Sequence, residues 1–352
     1  MRLRNIITNF GLFLVAACIM LLLVELLARL FVPQWTPDTA HRNFWAYDDL
    51  LGWVHKPNRQ GTFEQIDFSV NVSINSDGLR DKEYPLARTQ GKKRLLVLGD
   101  SFGWGFGVEN DEIFSELLEK RHPDWEIINA SVSGYGTDQQ LLYLKQRGMQ
   151  YQPDVVLLLF HPNDVANNSH SEQYVHNKAR FQLMDGELVL TNYPVPKPSF
   201  RQRAFQYIVG NTYFFGRLYR VSNLIESQWR PARAAPAVKK DNRADYMLTT
   251  ELLLTLNDLV KQNGAQLVVV SVPISNKSLK NLLRDTLQAA EIPYLPLDEA
   301  LANSPEPVTF EHDEHWNPAG HKIVATTIEN FLVDLNIFRL TQESRLPSNK
   351  AQ

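Results

Sequence analysis

The sequence has a single cysteine, Cys18, so no disulfide can form within one chain. That suits the cytosol, and equally an exported protein that relies on a large core. Neither sign of charge is in excess: 36 Lys and Arg stand against 39 Asp and Glu, a formal net charge of -3. A nucleic-acid partner is therefore not expected, because phosphate backbones are met by basic surfaces. There is no histidine-rich tract, repeat or low-complexity segment, and only one long apolar run. What is present, 44% hydrophobic residues and 19 prolines in 352 positions, suits a globular chain with many loops.

The apolar run is at the N-terminus. Arg2 and Arg4 precede an almost uncharged stretch from Asn5 to Val24, and Glu25 and Arg29 interrupt the tail that ends at Val32. About 20 apolar residues span a bilayer, whereas the apolar part of a cleaved secretory signal is about 7–15 residues. We expect residues 1–33 to be an uncleaved signal anchor that enters a bacterial inner membrane through residues 6–32. Arg2 and Arg4 then stay in the cytoplasm and the remainder lies on the periplasmic side. Two other readings exist. Val15-Ala16-Ala17-Cys18 resembles a lipoprotein cleavage box, although apolar residues continue past Cys18, and a helix buried in a core has the same composition.

Residues 34–92 read as a β-rich lead-in. Phe68 to Ile74 alternates as a half-buried strand does, and Asn75-Ser76-Asp77-Gly78 is a turn. From 93 to 340 strands and helices alternate. Strands are expected at 94–100, 125–130, 153–160, 266–272 and 294–297. Helices are expected at 111–122 (capped by Asn110), 137–147, 244–263, 277–290 and 318–335. Apolar strands separated by helices imply an α/β fold, a parallel five-stranded sheet covered on both faces. The rhythm breaks at about 168–243, an insertion with a hairpin at Asp185-Gly186. Its arginine- and aromatic-rich part, 199–233, reads either as an amphipathic helix packed on the core or as a membrane-facing or substrate-covering lid. Residues 234–241 read as an irregular loop and 341–352 as a disordered tail.

The stretch Arg94 to Phe102 ends a buried strand in Gly99-Asp100-Ser101, which sets the Ser101 hydroxyl at the carboxyl edge of the sheet, where ligands bind in open α/β folds. Asp100 is expected to brace the turn. A serine nucleophile needs a base, an orienting acid and donors for an oxyanion. His315, just before the last helix, is the candidate base, and Asp313 can fix its tautomer. Gly134, after the second strand, can offer a backbone N–H, and Asn163, after the third, a side-chain amide. His312 and His321 flank the base, but the spacing fits no zinc pattern and no cysteine assists, so no metal is expected.

This order of Ser101, Gly134, Asn163 and His315 resembles the SGNH or GDSL hydrolases, over about 94–167 and 243–335. The resemblance implies a three-layer flavodoxin-like fold and a cofactor-free serine mechanism. By analogy the oxyanion donors are the N–H groups of Ser101 and Gly134 and the Asn163 side chain. His161 stands where the family usually has glycine, and the acid precedes the histidine by two residues where many members have three. The Asp313-x-His315-Trp316 spacing looks like the SGNH-type O-acetylation proteins of bacterial exopolysaccharide systems. The expected activity is ester hydrolysis on a glycan or lipid of the envelope through an acyl-serine. Alternatives are a polysaccharide O-acetyltransferase, working with envelope polysaccharide machinery, and a non-catalytic carbohydrate-binding or assembly protein.

Overall fold

The computed structural model describes residues 2–31, 44–65, 67–173, 176–218 and 243–339. The loop expected at 234–241 and the tail expected at 341–352 lie outside them. The chain divides into two compact units. Elements in chain order are α1 (Arg2–Phe31), β1 (Trp45–Asp48), β2 (Gly52–His55), β3 (Gln60–Glu64), β4 (Ser69–Ser73), β5 (Lys93–Leu98), α2 (Ser101–Trp104), α3 (Phe114–Arg121), β6 (Trp125–Asn129), α4 (Thr137–Gln146), β7 (Val155–Phe160), α5 (Asp164–Asn168), β8 (Glu172–Gln173), β9 (His176–Asn177), β10 (Arg180–Met184), β11 (Glu187–Thr191), α6 (Phe200–Asn211), α7 (Arg243–Gln262), β12 (Gln266–Ser271), α8 (Lys277–Ala289), β13 (Tyr294–Pro296), α9 (Asp298–Ala302) and α10 (Pro318–Asp334).

The larger unit holds Asn43–Phe63, Asp67–Lys197 and Asp241–Gln352. Its centre is a parallel five-stranded sheet in the order β13-β12-β7-β5-β6. In sheet-strand sequence this is 2-1-3-4-5, the flavodoxin-like order. The order reverses between β5 and β7, and the crevice at the carboxyl ends of those strands is where such sheets bind ligands. All six residues of β7 are buried, as a strand covered on both faces requires. Leu95 and Val97 of β5 pack with Phe114 and Leu118 of α3 and Val324 and Ile328 of α10. On the other face α4 and α5 pack against α7, with α8 beside it. The sandwich of helix, sheet and helix agrees with the fold expected from the apolar strands.

One cap differs from expectation. Asn110 does not start α3. It opens a 3₁₀ turn, Asn110–Glu112, and α3 begins after an extended Ile113. The reason is a competing partner: the Asn110 side-chain oxygen accepts from Arg80 Nε at 2.9 Å.

The smaller unit holds Met1–Arg42, Glu64–Ile66 and Pro198–Lys240. Residues read together as one insertion thus fall in both units. The β10–β11 hairpin turns at Asp185-Gly186 and belongs to the larger unit, whereas α6 belongs with α1. Ser199 and Gln202 form a capping box at the start of α6. Within α1, Asn5–Phe31 is a 27-residue stretch long and apolar enough to cross a membrane.

Candidate active site

Ser101 opens α2 directly after β5. Asp100 is its N-cap, and Asp100 Oδ1 accepts from Phe102 N at 2.9 Å. Gly103 lets this helix lie against the loop after β6, since a Cβ there would meet Ser131 Oγ at 2.3 Å. Gly105 ends the helix in the left-handed region, φ 81°. Asn129, the last residue of β6, ties the two loops together. Its Nδ2 donates to Gly103 O at 2.9 Å, and its Oδ1 accepts from Ser131 N at 3.1 Å.

His315 sits across the sheet edge from Ser101, 214 residues later in the chain. Its Nε2 is 2.7 Å from Ser101 Oγ. Its Nδ1 and its backbone N–H both donate to Asp313 Oδ1, the latter at 2.9 Å. With Nδ1 carrying the hydrogen, Nε2 presents its lone pair to the serine hydroxyl, the arrangement a general base requires. Burial alone would push the Asp313 carboxyl up, but the hydrogen bonds and charge of His315 outweigh it and hold it below its ordinary value. Hydrogen bonds brace the loop: Phe310 N donates to His315 O, Thr309 pairs with Trp316, and Asn317 Nδ2 donates to the carbonyls of Pro307 and Thr309. Asn317 then caps α10 through Gly320 N, with Pro318 at the first helical position.

Gly134 lies in a turn after β6 with φ 83°, a conformation that favours glycine. Trp53 of β2 grips this turn, its Nε1 donating to Ser133 O while its own carbonyl accepts from Tyr135. Asn163 is the N-cap of α5, after β7. Neither polar atom of its amide has a partner among the described residues, and its oxygen is sealed from solvent. Its backbone N–H donates to His161 Nδ1 at 3.2 Å. His161, in the place of the family's glycine, stacks on Phe102 with ring centroids 4.9 Å apart. The structure therefore brings Ser101, His315 and Asp313 into one hydrogen-bonded chain, with Gly134 and Asn163 after the strands on either side of β5.

The flanking histidines do other work. His321 is buried and its Nδ1 accepts from Phe114 N; burial, helped by the charge of Arg80, pushes its pKa down to about 3. His312 is exposed and donates to both oxygens of Asp67, from its backbone N–H to Oδ2 (2.9 Å) and from Nδ1 to Oδ1 (2.7 Å). That bond to Asp67 raises its pKa. Among the described residues there is no cluster of three or more His, Cys, Asp or Glu able to hold a metal ion.

Several supports of the site carry no mark in the sequence. Phe106 stacks on His315 at 4.2 Å and is itself backed by Phe63 and Phe68 of the lead-in. Arg80 is fully buried and donates to the carbonyls of Trp104, Gly105 and Val108, fixing the loop that carries Phe106. Beneath Asn163, burial and the neighbouring Asp100 charge push the Asp164 carboxyl well above its ordinary value. Lys178 and Asp138 form a fully buried ion pair, and Lys178 Nζ also donates to Asn167 O at 3.0 Å. No sequence signal separates these residues from ordinary turn, surface and core positions.

Over 82 residues the sequence is 35% identical to an arylesterase of Vibrio mimicus, which is 22% of this chain and 41% of that protein. The match thus spans less than half the length of that relative. Among solved structures, the esterase EstA from Pseudoalteromonas sp. is 13% identical with a TM-score of 0.42, covering 70% of this chain and 99% of that one. A GDSL-like lipase from Bacteroides thetaiotaomicron is 13% identical with a TM-score of 0.37, covering 70% and 91%. The model of the GDSL-like lipase/acylhydrolase family matches residues 97–323, more than half of the sequence. The chain belongs to the GDSL-like lipase/acylhydrolase family, the SGNH hydrolases.

Proposed function

We propose that the chain hydrolyses acyl esters of an envelope carbohydrate or lipid through an acyl-serine intermediate. The observation that carries this is the Ser101 Oγ to His315 Nε2 contact at 2.7 Å, with Asp313 on the other ring nitrogen. His315 takes the Ser101 proton as Oγ attacks the ester carbonyl. The carbonyl oxygen becomes an oxyanion, held by the Ser101 and Gly134 N–H groups and the Asn163 amide. As the tetrahedral intermediate collapses, His315 returns the proton to the leaving alcohol. Water then enters by the same route in reverse and releases the acid. Asp313 keeps Nδ1 protonated and stabilises the imidazolium. Each oxyanion donor contributes about 10²–10³ in turnover.

The Asp313-x-His315-Trp316 spacing favours a second reading, in which a sugar hydroxyl takes the acyl group in place of water. In both readings α1 anchors the chain in the inner membrane with the catalytic unit outside the cytoplasm, supported by Arg2 and Arg4 ahead of the apolar stretch.

The test uses the full chain in detergent micelles with p-nitrophenyl acetate, with and without oligosaccharides. Nitrophenol release should vanish in Ser101→Ala and fall about 10²-fold or more in Asn163→Ala. Acetylated oligosaccharide would establish the transferase. Equal rates for wild type and Ser101→Ala on every ester tried would refute catalysis at this site and leave a binding role.

A further inference from the structure

Glu25 is a carboxylate inside the apolar part of α1, where a charge is costly and usually has a dedicated partner. Its partners come from 188 and 189 residues away. Oε1 accepts from Tyr213 N at 3.0 Å and Oε2 from Phe214 N at 3.1 Å. Arg29 Nε donates to Oε1 at 2.9 Å, and its guanidinium lies over the Tyr213 ring, 5.3 Å from the centroid. The two amides begin a helical turn, 213–218, so the acid satisfies donors that have no partner within that turn.

The contact has a geometric consequence. Glu25 is six residues before Phe31, so the 213–214 backbone is held about 9 Å back along α1 from its end. The last residue of α6 is Asn211, only two residues before Tyr213, which keeps that end of α6 within about 7 Å of the contact. Phe200, Ala204, Tyr207 and Ile208 recur along α6 at the spacing of one helical face. Phe200 is 78% exposed and Tyr207 67%. Arg201 and Arg203 are exposed, and no acidic residue occurs from 198 to 218. Aromatic side chains with flanking arginines are the composition of a helix lying at the headgroup level, the arginines reaching lipid phosphates.

We propose that α6 is a second membrane-contacting element, lying in the bilayer interface against anionic phospholipid and held there by the clasp of Glu25 on Tyr213 and Phe214. The inference rests on the reading of α1 as a membrane anchor.

The test is site-directed spin labelling of the full chain, Cys18→Ala, in nanodiscs of phosphatidylcholine and phosphatidylglycerol. Labels go at Tyr207→Cys, at Leu22→Cys as the bilayer reference and at the exposed Lys277→Cys as the aqueous one. The oxygen-to-nickel collision ratio at position 207 should exceed that at 277 by about fivefold or more, as burial to the acyl boundary implies. It should fall about twofold or more in phosphatidylcholine alone, where the arginines lose their anionic partners. In Glu25→Leu, exchange of the Tyr213 and Phe214 amides should rise about tenfold or more. A label at 207 as aqueous as 277, with 22 in the bilayer, overturns the proposal and leaves the anchor standing. A label at 22 that is itself aqueous overturns the anchor and the proposal with it. A label at 207 shielded from both reagents overturns it in favour of a protein partner, and an unchanged ratio without anionic lipid overturns the headgroup part.

Discussion

His55 offers a quantitative check on how the lead-in supports the catalytic unit. The ring is fully buried, and its Nδ1 is 2.8 Å from Gly78 O. A carbonyl only accepts, so Nδ1 carries the hydrogen and Nε2 is left as a buried lone pair without a partner. The ring packs against Trp104 (5.9 Å) and Trp45 (5.5 Å), and Arg80 adds positive charge nearby. Burial first, and Arg80 second, push the pKa from 6.5 down to about 4, against the opposing bond to Gly78. Above pH 6.5 both folded and unfolded chains hold His55 neutral, and it contributes no pH dependence. As pH falls below 6.5 the unfolded chain binds a proton that the folded chain refuses, so stability declines until about pH 4. A tenfold difference in proton affinity is about 1.4 kcal/mol, so the full loss is about 3 kcal/mol, of which about 2 kcal/mol has appeared by pH 5. The variant His55→Gln keeps a donor for Gly78 O and cannot titrate. Urea unfolding of the full chain in micelles, followed by tryptophan fluorescence at pH 8 and pH 5, gives the comparison. The pH-dependent loss should be smaller in the variant by about 2 kcal/mol. An identical loss in the two proteins would refute the buried neutral imidazole.

Two further outcomes follow from the packing around Ser101. Gly103→Ala drives a methyl into Ser131, so it should lower stability by about 1–3 kcal/mol and reduce esterase rate by displacing α2; unchanged melting and rate would count against the close approach. Lys178→Met strands the buried Asp138 carboxylate and should destabilise by about 3–5 kcal/mol, read as a lower melting temperature, with Asp138→Asn in the same chain restoring more than half; a double variant no better than the single would contradict the pairing.

The parts of the molecule that could be read from sequence share a physical cause. A parallel strand buried on both faces has to be apolar throughout, so Val155 to Phe160 and Leu95 to Leu98 announce themselves, and their C-terminal ends fix which loops meet. That is why the sequence alone puts Ser101, Gly134, Asn163 and the Asp313–His315 loop on one edge. The residues that hold the edge carry no such mark. Asn129 looks like a loop asparagine, Arg80 like a surface cation, and Asp67 meets His312 across 245 positions. Asn110 shows the same limit at short range, since the partner that removes it from its cap is Arg80, 30 residues away. Local preference is a weak prior when a buried partner competes for the same side chain.

The distance in sequence between Ser101 and His315 also sets a schedule. At about 5–20 residues per second, the ribosome makes His315 about 10–40 s after Ser101. On the proposed mechanism, Ser101 is an ordinary alcohol throughout that interval, because the group that would take its proton does not yet exist. An esterase built this way stays silent during its own synthesis and becomes competent only when the closing hairpin, 309–316, docks on a finished sheet.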